Sequence, residues 1–417
     1  MIRYLFFFIF LILKVSAQEI SIEQCYKLTL DNYPIAKQKE IIEQSGQALI
    51  KSINTAFLPQ LDLNGQATYQ SEVLSIPIKL PGMKISEIDK DQYKATLDVK
   101  QMVYDGGLTN AQKEYQNNSS QLEQQKIEVE LFKIKDRVNQ LYFSILLSDE
   151  NLDLMNNFKS EIKNKLNKIT ASVQNGISLP LNADMLKAEL IKTEQKIIEI
   201  KYSKSASIRM LSLLSGGNVN EKNTFLIPTL ISFEENNQIK RPETKLFSLQ
   251  EKQFDAQSKI SLFKTRPKFN FFLQAGYGKP AFNMFDNSFS PFYIGGLKFS
   301  WNIWNWKSTS FERQSIELNK TLIAKQRETF ELNTQISLSQ QASEISKYKA
   351  LINKDQELIN IRQKIKNTIS LQLENGTATS SDYITELNNE NQARLGLKMH
   401  ELQMLLGIIS YRTTQGD

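Results

Sequence analysis

The chain is written twice, and this duplication limits its fold more than any single motif does. The stretch NYPIAKQKEIIEQSGQALIKSINTAFLPQLDL carries prolines at 34 and 59, and QIKRPETKLFSLQEKQFDAQSKISLFKTRPKFNFF carries them at 242 and 267. The two pairs have the same spacing, and both stretches pass through the second proline into alternating sequence. Further on, MVYDGGLTNAQ matches NIWNWKSTSFERQ, which sets Tyr104 against Trp304. QNGISLPLNADMLKAEL matches ENGTATSSDYITELNNE, which sets Gly176 against Gly376 at the same offset. The early landmarks lie further apart than these later ones. The second copy is therefore shorter between Pro267 and Trp304, where a loop joins two strands.

Each copy reads helix, strand, loop, strand, long helix, tight turn, helix. Strands are expected at about 59–70, 92–104, 268–278 and 292–304, because apolar and polar residues alternate there. Leu61, Leu63 and Tyr69 fall opposite Asp62, Asn64 and Gln66, and Leu97 and Val99 fall opposite Thr96 and Asp98. In the second copy Phe269, Phe271 and Leu273 share one face, as do Tyr293, Leu297, Phe299, Trp301 and Ile303. From Ile127 to Val173 apolar residues recur in steps of three and four, a heptad seam broken at Ser148 and Lys159. A helix over about 108–175 would be on the order of 100 Å long. Glycines in QNG and ENG are placed to end the two long helices, and each helix then turns back as a hairpin.

The one long apolar run, YLFFFIFLIL at 4–13, follows Arg3 and precedes the small residues VSA. That pattern predicts a secretory signal over 1–17, cut after Ala17, since the run is too short for a spanning helix. Losing Arg3 and Lys14 with it takes the net charge from +6 to +4, and no basic block marks a nucleic-acid surface. The single cysteine, Cys25, excludes an internal disulfide and reads as a buried helix-face residue rather than a lipidated terminus. His400 is the sole histidine, so no histidine-based metal site or catalytic triad can be assembled, and no cofactor is expected.

Four amphipathic strands in an exported protein have two readings. They either cover the core of a soluble domain or span an outer membrane, where strands of about nine to eleven residues alternate apolar outward and polar inward. Four strands cannot close a barrel and open edges are not tolerated in lipid, so the second reading requires several chains to pool their strands.

The ordered set DNYPIA, NTAFLPQLDL, VYDGG and NGISLPLNADML, repeated once over residues 19–412, resembles the TolC family of outer-membrane efflux and secretion channels. The resemblance implies a mixed α and β membrane protein, with long antiparallel helical hairpins forming a tunnel. It implies a homotrimer pooling its strands into a twelve-stranded barrel in the outer membrane of a Gram-negative bacterium. Residues 18–215 and 241–417 are the two repeats, and 216–240 would be an equatorial linker. Leu61, Leu63, Tyr69, Phe271, Leu273 and Phe299 would face lipid, while Asp62, Asn64, Gln66, Thr96 and Asp98 would face the lumen. The tip residues Asn175, Gly176, Asn375, Gly376 and Thr377 would meet a periplasmic adaptor, which in turn engages an inner-membrane transporter of RND, ABC or similar type. Asp382 and Asp184 match the family's gate acids, and three copies of each would favour cations. Asp382 also suits a helix N-cap. NGTATSSD lacks the arginine found in TolC itself, and Thr385 stands where a second acid would be. The competing reading is a periplasmic coiled-coil adaptor or scaffold without a pore. An enzyme is not expected. A duct has no deep substrate pocket, so the cargo stays open among drugs, metals, peptides and proteins.

Overall fold

A computed structural model describes residues 19–73, 88–229, 233–236, 238–284 and 286–417. The expected signal segment and most of the first inter-strand loop lie outside the described residues. In chain order the elements are β1 (Glu19–Ile20), α1 (Ile22–Asn32), α2 (Gln38–Asn54), β2 (Gln60–Tyr69), β3 (Asp91–Tyr104), α3 (Leu108–Gln174) and α4 (Pro180–Leu214). There follow β4 (Thr224–Phe225), α5 (Pro242–Lys264), β5 (Lys268–Lys279), β6 (Ser290–Ser300), α6 (Ser308–Glu374) and α7 (Ser380–Gln415). The duplication is literal in the helices: α3 and α6 are both 67 residues long, and their first residues, Leu108 and Ser308, keep the offset of the glycine turns.

Two compact units emerge, and each draws on both repeats. The first takes in the described residues up to Lys37 with Ile127–Glu243 and Glu328–Asp417. The second takes in Gln38–Lys126 and Thr244–Arg327. In the second unit β2, β3, β5 and β6 form one antiparallel sheet in the order β2-β3-β5-β6. The two repeats are therefore stitched together along β3 and β5. β6 ends at Ser300, short of the expected 304; residues 301–305 have no regular structure. The chain needs two left-handed residues before its long helix: the first repeat supplies Gly106 (φ 72) and Gly107 (φ 93), the second Trp306 (φ 53) and Lys307 (φ 62). A side chain costs about 1–2 kcal/mol at each such position, so the second repeat enters α6 under strain that the first avoids.

The first unit is held by the seam of α3. Leu131, Val138, Ile145, Ile162 and Ile169 are all buried, at steps that keep one helix face inward. One core gathers Ile22, Cys25, Tyr142, Ile145, Leu211 and Val219. The Tyr142 hydroxyl lies 2.9 Å from the Ile20 carbonyl and 2.7 Å from that of Leu226, so it ties both short strands to α3. Cys25 sits inside α1, fully buried, and burial pushes its thiol up to about 12. No described helix is long and apolar enough to cross a membrane.

Candidate functional site

Two places concentrate the sequence-predicted residues, the sheet of the second unit and the helix turns of the first. In the sheet, side-chain alternation and register together sort the residues into two faces. Leu61 pairs with Val99, Leu63 with Leu97, Val99 with Leu273, and Phe271 with Leu297, so apolar residues line up across all four strands. This face is open: Leu63 is 82% exposed, Tyr69 78% and Leu297 72%. Its ionised residues, Asp91 and Lys279, sit at one end and pair with each other at 3.6 Å. Aromatic rings collect at both ends, Tyr104, Phe269 and Phe299 at one and Tyr93, Tyr277 and Phe289 at the other. Strands of this length span about 33 Å, and a tilt of about 40° makes that about 25 Å, the height of an apolar membrane band. All six residues expected to face lipid share this face.

The opposite face carries Asp62, Asn64, Gln66, Thr96 and Asp98. Asp98 is its hub, accepting hydrogen bonds from Asn64 (2.6 Å), Gln274 (2.5 Å) and Thr96 (3.4 Å). Asp62 pairs with Lys100 at 3.5 Å. Both edges of the sheet, β2 and β6, lack a strand partner among the described residues.

The helix turns repeat each other closely. Gly176 (φ 77) and Gly376 (φ 75) adopt the left-handed conformation that ends a helix. Ile177 N–H donates to Ser172 O (2.8 Å) and Gly176 N–H to Val173 O (3.0 Å), and Thr377 and Gly376 make the same pair to Gln372 and Leu373. These bonds satisfy carbonyls that a helix end leaves open. The next helices begin at Pro180 and Ser380, equally far past their glycines. The offset between the repeats thus runs through the turn without insertion, and Asn182, not Asp184, occupies the position of Asp382. Asp184 falls on the position of Ile384.

Asp382 closes a capping box. It accepts from the Thr379 hydroxyl (2.7 Å) and amide (2.9 Å), and its own amide donates to Thr379 Oγ1 (3.2 Å). The N-cap is Thr379, and Asp382 is the third helical residue. The Thr379 hydroxyl, then its amide, hold the exposed Asp382 carboxyl below the usual range. Asn182 Oδ1 accepts from Ser380 N–H at 3.3 Å, so the two turns touch through the residue that stands in place of a second acid. Asp184 is exposed in the first turns of α4.

Two features of this region escaped sequence reasoning. The first turn exposes Ile177 (75%), Leu179 (67%) and Leu181 (60%), an apolar patch that the second turn, with Thr377, Thr379 and Ser381, does not repeat. Behind the turns, Phe158, Ile162, Leu186, Leu373, Tyr383 and Leu387 form a core, and beside it lies an ion cluster with Lys366 and Glu390 largely buried and Glu161 and Arg394 half-exposed. Lys366 reaches Glu161 (2.8 Å) and Glu390 (2.7 Å), and Glu390 reaches Arg394 (2.7 Å). The patch is visible as ISLPL only once the turn is known to be exposed. The cluster has no local signal, since Glu161 belongs to the first repeat and Lys366 to the second.

The architecture is that of outer-membrane channel proteins built from paired helical hairpins and a four-stranded sheet. VceC from Vibrio cholerae superposes with a TM-score of 0.66 at 13% identity, over 95% of this chain and 96% of that one. CusC gives 0.73 at 12%, over 95% and 92%. The open-state MtrE channel from Neisseria gonorrhoeae gives 0.66 at 11%, over 97% and 93%. No curated protein sequence matches the chain. The chain therefore shares the fold of these solved outer-membrane channels, and residues 26–217 match the outer membrane efflux protein family, in line with the resemblance to the TolC family. This is a family of channel proteins, not enzymes.

Proposed function

We propose that the protein is the outer-membrane exit duct of a tripartite efflux pump or type I secretion system. Three copies join edge to edge, β6 of one beside β2 of the next, and close a twelve-stranded barrel. The apolar face then meets lipid and the face with Asp62, Asn64, Gln66, Thr96 and Asp98 meets water. The observation that carries the reading is the pairing of one open apolar face with two unpartnered edge strands, β2 of 10 residues and β6 of 11 residues. Such a sheet is stable in lipid only if its edges are closed.

The hairpin turns form the periplasmic tip. Asn175, Gly176, Asn375, Gly376 and Thr377 lie there, and the exposed Ile177, Leu179 and Leu181 offer an adaptor an apolar contact that the polar second turn lacks. In a trimer Asp382 supplies a ring of three carboxylates, which favours cations; Asp184, a turn into its helix, supplies a second ring. The duct passes cargo handed over by an inner-membrane transporter.

Fractionation tests the reading. The mature protein stays with the outer membrane through high-salt washing and leaves only with detergent, as a trimer; release by salt alone overturns it. In planar bilayers Asp382→Ala changes single-channel conductance or its block by divalent cations, and an unchanged channel removes Asp382 from the constriction.

A further inference from the structure

We propose that the polar face of the sheet is a binding wall for amphipathic organic anions, built from Lys94, Lys268 and Lys298 beside an apolar ledge of Phe272, Ile294 and Phe292. The inference rests on the channel reading, because only a closed barrel turns this face into a lumen.

The charge on this face is not balanced. Its ionised residues are Lys94, Lys100, Lys268 and Lys298 against Asp62 and Asp98, a net of +2 per chain. Both acids are already engaged: Asp62 pairs with Lys100, and Asp98 accepts from three neutral side chains. Lys94, Lys268 and Lys298 have no carboxylate partner among the described residues. In a trimer, three such ammonium groups from each chain would line one barrel, and their field would concentrate anions there.

The face is also divided chemically. Its β2–β3 half is polar apart from Met102 at one end, whereas β5 and β6 place Phe272, Ile294 and Phe292 on the same water-facing side. Glycines make room for these rings. A Cβ on Gly276 would lie 2.4 Å from the Phe292 ring, and one on Gly296 would lie 3.2 Å from that of Phe272. Lys94 Nζ stands 5.0 Å above the Phe292 ring, which lets the aromatic face and the ammonium act on one ligand. A recess of about 750 Å³ is lined by Phe272, Gln274, Ile294, Lys100 and Lys298, and by Asp98, whose carboxylate is held by Asn64, Gln274 and Thr96; the volume is within the range of small-molecule sites, about 300–1,000 Å³. An apolar ledge with ammonium groups at its rim matches a molecule with a ring or chain at one end and a carboxylate or sulfonate at the other.

The test uses the full-length trimer in planar bilayers with two probes sharing one ring system, naphthalenesulfonate and naphthylmethylammonium. The anion is expected to block the channel when added on the sheet side, and the cation is not. Lys94→Gln and Lys298→Gln each weaken the block about threefold, the scale of an exposed charge pair, while leaving the channel open. Phe272→Ser weakens it as well, which separates ledge binding from a purely electrostatic field. Equal block by the cation, no block by either probe, or block unchanged in the lysine variants overturns the inference while the channels remain. A protein that inserts and yields no channels removes the channel reading, and this site with it.

Discussion

Lys366→Met tests whether the hairpins are locked together by buried charge. Lys366 Nζ lies 2.8 Å from Glu161 Oε1 and 2.7 Å from Glu390 Oε2, and its side chain is 11% exposed against 5% for Glu390. The Tyr383 hydroxyl donates to the same Glu161 oxygen at 3.3 Å. Deleting one partner of a buried pair costs about 3–5 kcal/mol, because the other charge is left uncompensated. Here Arg394 stays on Glu390, and the Glu161 side chain, 40% exposed, can regain water. These features put the loss near the low end, about 3 kcal/mol, equivalent to about a hundredfold faster local opening. Hydrogen exchange of peptides covering 358–374 and 380–394 reads that opening directly. Adding Glu390→Gln should recover part of the loss, since the stranded carboxylate is then neutral. The sign of the pH dependence follows from Glu390. Burial alone would raise its pKa, but hydrogen bonds from Lys366 and Arg394 outweigh burial and hold it below the usual range. Its contribution is therefore present above the ordinary Glu value, about 4.3, and is lost as pH falls through the depressed one. The penalty of Lys366→Met accordingly shrinks in acid. Unchanged exchange in the single variant, or a double variant worse than the single, would refute the reasoning.

The faces of the sheet and the capping box give further expectations. Leu63→Lys places a charge on the open apolar face and costs about 2–4 kcal/mol at mid-membrane, whereas Asn64→Lys, its sequence neighbour, costs little; the yields of the two variants in the outer-membrane fraction measure the difference. Thr379→Ala removes the hydroxyl that both donates to Asp382 and caps α7, and costs about 1 kcal/mol, read as faster exchange of the first helical turn. Because Asp382 is held below its usual range, the gap between parent and variant is full above about pH 3.9 and narrows as pH falls through the depressed value, the cap to the Asp382 amide remaining.

Much of the architecture was legible because it depends on local pattern. Alternation marks a strand with two faces wherever the strand ends up, and β2, β3 and β5 lie within a residue or two of their expected limits. The heptad seam likewise announced α3, and Gly176 and Gly376 announced the turns, because only a residue without Cβ takes the left-handed conformation cheaply. β6 stops short of its expected limit although Trp301 and Ile303 continue the alternation after the ladder has ended. Alternation reports which side a residue prefers, whereas a strand also needs a neighbour to bond. Asp184 and Asp382 look equivalent by residue type, but the two turns have equal length, which sets Asn182 opposite Asp382.

Pattern along the chain is enough to show that the unit is duplicated, that each copy carries two amphipathic strands and a long helical hairpin, and where the helices turn. Those properties follow from the strand and helix periods and from glycine's backbone freedom, all of which act within a few residues. Only packing decides that β3 pairs with β5 to join the repeats, that Lys366 finds Glu161 in the other repeat, and that Phe272 and Phe292 rest on glycines of the neighbouring strand. Those contacts depend on which elements lie side by side, and no local period encodes that.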